Sequence, residues 1–167
     1  MKKTLIMLFF TLFLLATAGT VFGEEMAKEG SNTGKNYLSG TSKVLAMGQE
    51  RFQMNYEGGG VNVDDTGKGF SHLAAVYVIG TLHAVKGEFE ETGFMAMTST
   101  DGDKIYITYK GSGTLGKPVK GTWTYVGGTG KYTGMEGSGE FTRYELQEAA
   151  EGVWTSMSLW KGNYKLP

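Results

Sequence analysis

Few side chains in this sequence have the types and spacing to do chemistry. Histidine occurs only twice, as His72 and His83. A metal site built on them would need a third ligand such as Glu88 or Glu90, and nothing in the spacing imposes one; no metal and no cofactor are expected. In HLAAVYV, His72 shares strand parity with Ala74, Val76 and Val78. It therefore reads either as a core histidine or as an acid–base group facing the interior. Glu91 is the more telling carboxylate. It shares parity with Phe89, Met95 and Met97, whereas Glu88, Glu90, Thr92 and Phe94 take the opposite face. With the methionine face inward, Glu91 is a buried acid and a candidate general base; at the rim of the fold it is an ordinary solvated carboxylate. Asp101 and Asp103 invite a calcium reading, but an Asp-Gly hairpin explains both. No GxSxG motif or other nucleophile motif is present.

Two glycine motifs point towards nucleotides and then fail. GSGTLG (111–116) matches GxGxxG, but a proline and strand-like alternation follow where a helix must begin to hold a pyrophosphate. GGTGKY (127–132) lacks the upstream glycine of a phosphate loop and has Tyr132 where a hydroxyl must reach magnesium.

The elements around these residues are strands. ERFQMNYE alternates with Phe52, Met54 and Tyr56 on one face, and KIYITYK sets Ile105, Ile107 and Tyr109 together. VWTSMSLWKGNYKL has apolar residues on both faces, which predicts cover on both sides for part of its length. Turn signals separate the runs: GGG at 58–60, DDTGKG at 64–69, TDGD at 100–103, GTLGKP at 113–118 and GGTGK at 127–131. YELQEAAEG (144–152) is the one short helix candidate or a crossing loop. About eight strands joined by short turns form a closed barrel or a β-sandwich. Closure removes exposed edges, and Gly137 and Gly139 on the same face as Phe141 permit the coiling a barrel needs. The expected fold is all-β, a single eight-stranded antiparallel β-barrel, with Phe52, Met54, Phe89, Met95, Met97, Trp123 and Tyr125 as core or cavity lining.

The chain begins with Lys2 and Lys3, the uncharged run LIMLFFTLFLLATA, and small residues up to Gly23. That order is a secretory signal peptide over 1–23, with cleavage after Ala18 as the alternative, and it predicts an exported protein, periplasmic or secreted. Residues 24–36 are polar and lack periodicity, which predicts a flexible leader ahead of a barrel domain at 37–167. Losing Lys2 and Lys3 leaves 14 basic against 17 acidic residues, a net charge of −3. That balance argues against nucleic acid. A membrane-spanning barrel is disfavoured by the polar faces of the strands. There is no cysteine, so packing alone must hold the exported domain together.

One segment points further. KGTWTYVGGTGKYTG followed by MEGSGEF resembles the GG[ST]G-aromatic-x-G-x-x-G segment of the allene oxide cyclase barrel superfamily, which includes the dirigent proteins. GEFEETGFMAM looks like a preceding barrel strand and TDGDKIYITYKG like the intervening hairpin; the resemblance spans residues 80–145. It implies an eight-stranded barrel with an apolar cavity whose members cyclise an epoxide fatty acid or steer phenoxy radical coupling. Many members form trimers or other oligomers, which makes a homo-oligomer an expectation here. The plant cyclases use a glutamate and have a cysteine in the pocket. With no cysteine here, their catalysis does not carry over. The readings are therefore a module that binds a small apolar molecule, a cyclase or isomerase using Glu91 or His72, and a filled barrel that acts through its surface.

Overall fold

The computed structural model describes residues 27–167; the expected signal peptide lies outside the described residues. The period-two alternation becomes eight antiparallel strands that close into a barrel in sequence order. They are β1 (Glu29–Ala46), β2 (Arg51–Asp64), β3 (Ala74–Val85), β4 (Glu88–Thr98), β5 (Lys104–Thr114), β6 (Val119–Gly128), β7 (Ser138–Glu145) and β8 (Val153–Lys165). β1 closes the ring by pairing with both β2 and β8. That closure excludes the sandwich.

The expected leader needs correction. Glu29 to Asn36 already belongs to β1, with Glu29 opposite Lys165 and Asn36 opposite Ser158. The segment looks unstructured because it carries almost no apolar side chain. Its small residues instead make room for rings: a Cβ at Gly34 would meet the Trp160 indole, and one at Gly30 would stand 3.0 Å from the Tyr164 hydroxyl.

Two turns follow hairpin chemistry. Lys86 and Gly87 both have positive φ, 53° and 83°, as a two-residue mirror-image turn requires. The Asp101-Gly102 hairpin forms as expected, the Gly102 N–H donating to the Ser99 carbonyl at 2.9 Å. GGG at 58–60 does not turn. It runs through β2, and a Cβ at Gly58 would stand 2.6 Å from the Trp154 ring. The segment 146–152 is an irregular link and not a helix. In β8 the outer side is partly covered at Val153 to Met157 and exposed at Leu159, so cover on both sides extends over part of the strand as expected.

The glycine-dense corner after β6 folds into a short 3₁₀ turn (Gly130–Tyr132) and tucks Tyr132 completely under the barrel. The Asp103 carboxylate holds it by accepting the Lys131 N–H at 3.3 Å and the Thr129 hydroxyl at 3.4 Å. Beside it, the 65–73 loop inserts Phe70, whose ring lies 5.7 Å from Tyr132 and 5.0 Å from Tyr164. Asp64 secures that loop, accepting from the Ser71 hydroxyl at 2.9 Å and the Thr66 hydroxyl at 2.6 Å. Together the two segments stopper one end of the barrel.

Inside, glycine replaces a side chain at chosen points on the wall. A Cβ at Gly93 would stand 2.5 Å from both the Ile79 carbonyl oxygen and Tyr109 Cζ, whereas one at Gly113 would meet nothing closer than 3.5 Å. Gly93→Ala is therefore expected to lower stability by about 1–3 kcal/mol. Gly113→Ala should be neutral or stabilising by up to about 1 kcal/mol. Urea unfolding of both variants tests this, and equal midpoints would refute it.

Candidate functional site

Above the stopper, the inner walls enclose a cavity of about 240 Å³. One wall, from β2 to β4, is apolar, mostly aliphatic and thioether with one ring: Met54, Val78, Leu82, Phe89, Met95 and Met97. These residues occupy alternate strand positions whose neighbours face water, so period two alone brings them together. Trp123 and Tyr125 of β6 complete the expected lining. Phe52 does not line the cavity. It lies one inward position nearer the rim than Met54, opposite Ala46 and Ala84, and packs half-buried against the edge of the core. The cavity opens at the end away from the stopper, where Leu115, Lys117 and Glu145 form part of its boundary.

A polar cluster crosses the lumen near that mouth. Register puts Tyr56, Gly80, Gly93 and Tyr109 in one row across β2 to β5. With two glycines between them, the tyrosines lean together until their hydroxyls meet at 2.7 Å. Tyr56 donates its one proton to Glu91 Oε2 at 2.9 Å, so Tyr109 must be the donor to Tyr56. From β7 on the far side, Arg143 Nη1 donates to Glu91 Oε1 at 2.8 Å and Oε2 at 3.0 Å. Arg143 Nε donates to Glu145 Oε1 at 3.0 Å.

The electrostatics follow from this geometry. Burial works against the charged guanidinium of Arg143, but the Glu91 and Glu145 carboxylates more than offset it and raise its pKa, which keeps it cationic. Burial pushes the Tyr109 phenol up to about 12. Burial, reinforced by the Glu91 charge, also pushes Tyr56 up, and burial raises Tyr125.

Glu91 faces inward, as its parity predicts, with a fully buried side chain. It is held as an ion-pair and hydrogen-bond partner. Its oxygens already accept three hydrogen bonds, and Tyr56, Tyr109 and Arg143 stand between it and the cavity they line. His72 is not near it. Leu73 has φ +54°, which breaks the alternation before β3, and His72 sits in the stopper loop at the opposite end. Sequence reasoning missed Arg143, because its partner lies 52 residues away and FTRYEL shows no clean alternation. The inward parity of Phe141 with Arg143 is the signal that could have found it. Among the described residues no cluster of His, Asp and Glu could hold a metal ion.

No family model and no curated protein matches the chain. Solved structures do, two dirigent proteins among them. One, a pterocarpan synthase dirigent protein, superimposes with a TM-score of 0.53 at 14% identity, covering 89% of this chain and 97% of that one. The barrel is dirigent-like in fold. A second pterocarpan synthase dirigent protein gives 0.49 at 13% identity, covering 84% and 98%.

Two outcomes are expected from the cluster. Arg143→Met leaves a buried carboxylate without its counter-ion and should lower stability by about 3–5 kcal/mol, while Glu91→Leu combined with Arg143→Leu should recover most of that loss. A double variant as unstable as the single one would refute the pairing argument. The second outcome concerns alkali. Unfolded tyrosines ionise near 10.0, while the folded pKa of Tyr109 is raised to about 12. With the folded value above the unfolded one, this stabilisation is complete below about pH 10 and is lost as pH rises through about 12. Melting temperature should stay level from neutral pH to about 10 and then fall. Tyrosinate absorbance from the buried rings should appear only with unfolding.

Proposed function

We propose that this barrel binds a small, largely apolar molecule in its cavity, and that it does so after export. The observation that carries this reading is the cavity wall of Met54, Met95 and Met97, bordered by the Leu115–Lys117 turn at one end and by none of the stopper residues Phe70, Tyr132 and Met135 at the other. Thioether side chains are flexible and polarisable, so such a wall adapts to guests of several shapes. A cavity of about 240 Å³ speaks against a solidly filled barrel acting only through its surface. Cleavage after Gly23 would leave every strand intact, since β1 starts at Glu29. The outer face carries Glu88, Glu90, Lys104, Lys110 and Lys120, which supports a barrel surrounded by water after its signal is removed.

A cyclase or stereo-controlling role, in keeping with the name of the first structural neighbour, is the second reading. The phenols of Tyr56 and Tyr109 on the cavity wall favour it. It is separated from simple binding by whether a bound guest leaves chemically changed.

Native mass spectrometry of protein taken from its own host should reveal a bound small molecule. Rebinding it should show a negative heat-capacity change in calorimetry at several temperatures. Met95→Trp, which fills the lumen from the methionine wall, should weaken binding at least about ten-fold while the barrel stays folded. Protein that arrives empty, and that takes up no apolar compound, would rule the reading out.

A further inference from the structure

The cavity and its one open guanidinium together define the class of guest. This inference rests on the ligand-binding reading above and narrows it. A volume of about 240 Å³ is small, below the range of about 300–1,000 Å³ typical of pockets for drug-sized ligands. An apolar cavity of about 150 Å³ takes one benzene, so this one suits about ten non-hydrogen atoms. A long acyl chain does not fit within it.

The polar end is set by Arg143. Nε is committed to Glu145 and Nη1 to Glu91, and Nη2 has no hydrogen bond among the described residues. Arg143 lines the cavity, and Nη2 is not among the polar atoms sealed off without a partner. Two N–H donors therefore remain for an acceptor. By contrast, Asn36 Oδ1 and the Trp123 and Trp160 indole nitrogens are buried behind their neighbours, and the polar side chains of the deeper wall are confined to the row Asn62, Asn36, Ser158. The methionine wall of β2 to β4 presents carbon and sulfur.

Charge then decides which acceptor. Arg143 already faces two carboxylates, so a third on the guest would meet net negative charge. Lys117 at the rim is exposed, and its charge is screened by water and salt. A neutral oxygen avoids that repulsion and still gains a charge-assisted hydrogen bond.

We propose that the guest is a compact, neutral molecule of about ten non-hydrogen atoms, with an apolar body against the methionine wall and one acceptor oxygen, such as a carbonyl or ether, on Arg143 Nη2. The test uses three compounds of one shape: p-cymene without oxygen, p-methylacetophenone with a neutral carbonyl, and p-toluate with a carboxylate. Methyl palmitate serves as the long neutral comparison. Calorimetry on the unaltered mature protein should rank the ketone about ten-fold tighter than p-cymene, with p-toluate and methyl palmitate weakest. In the Glu91→Leu, Arg143→Leu double variant the gap between ketone and hydrocarbon should close. A gap that persists there overturns the role of Arg143. Tightest binding of p-toluate overturns the neutral-guest argument, and tightest binding of methyl palmitate overturns the size argument; both leave the binding module standing. Failure of all four compounds, together with protein that arrives empty from its host, removes this proposal and the binding reading alike.

Discussion

A ring or a long side chain can cross the lumen of an eight-stranded barrel only where the facing wall gives up its own side chains. The row Tyr56, Gly80, Gly93, Tyr109 shows the constraint in its simplest form. Any Cβ on either glycine would collide with Tyr109, and at Gly80 with Tyr56 as well. Remove that room and the hydroxyls cannot meet, Glu91 loses a donor, and Arg143 faces a carboxylate with one fewer partner. The ion pair that ties β4 to β7 thus depends on two absent methyl groups on β3 and β4. A buried pair of this kind contributes less to net stability than its geometry suggests, because desolvation offsets much of the attraction. We infer that its value here lies in fixing which strands face each other across the lumen.

The same device runs round the barrel. Every strand places a glycine on the inner face, and the rings of β5 to β8 lie on them. Trp123 covers Gly139 and Gly162, Phe141 covers Gly121, Trp154 covers Gly40 and Gly58, and Trp160 covers Gly34. Rings seated flat against bare backbone let the sheet coil tightly without overfilling the interior, as glycine kinks covered by aromatic side chains do in barrels generally. The consequence is asymmetric. Bulk from β5 to β8 is laid against the wall, while β2 to β4 present Met54, Val78, Leu82, Met95 and Met97 to an unfilled centre. The hollow is thus the remainder of how the rings are stored.

That logic explains what the sequence discloses and what it hides. Alternation is local, so the inward facing of Met54, Glu91, Met95 and Met97 could be read from two or three neighbours. Asp101-Gly102 is likewise a local signal with a local outcome. Glycine is ambiguous because its two uses look alike in a string of letters. At 58–60 it makes space for Trp154, although a glycine run normally signals a turn. Around 29–36 the polar composition imitates a leader, yet the strand is held by β8, more than a hundred residues away in the chain. Arg143 was hidden for the same reason. Its meaning lies in Glu91, on the opposite wall, and no spacing rule connects positions whose relation exists only once the barrel has closed. His72 illustrates the opposite failure: Leu73, with φ +54°, separates it from β3, so strand parity does not reach a residue that belongs to the stopper loop.

The two ends of the barrel complete the argument about access. Phe70, Tyr132 and Met135 close the lower end, and none of them borders the cavity. Their cover is anchored by carboxylates, Asp64 for the loop and Asp103 for the glycine corner, each accepting hydrogen bonds from the backbone or hydroxyls of its own segment. Opening that end would expose fully buried rings and break several charge-assisted hydrogen bonds at once. Among the described residues the other end has no comparable plug; the turn at Leu115 to Lys117 and the polar cluster of Arg143 and Glu145 border the cavity there. A guest therefore meets charge first and carbon afterwards. Its polar atom is drawn to the charged group at the mouth, and its apolar body packs against the methionine wall of β2 to β4. Orientation follows from this ordering of the walls and needs no moving part.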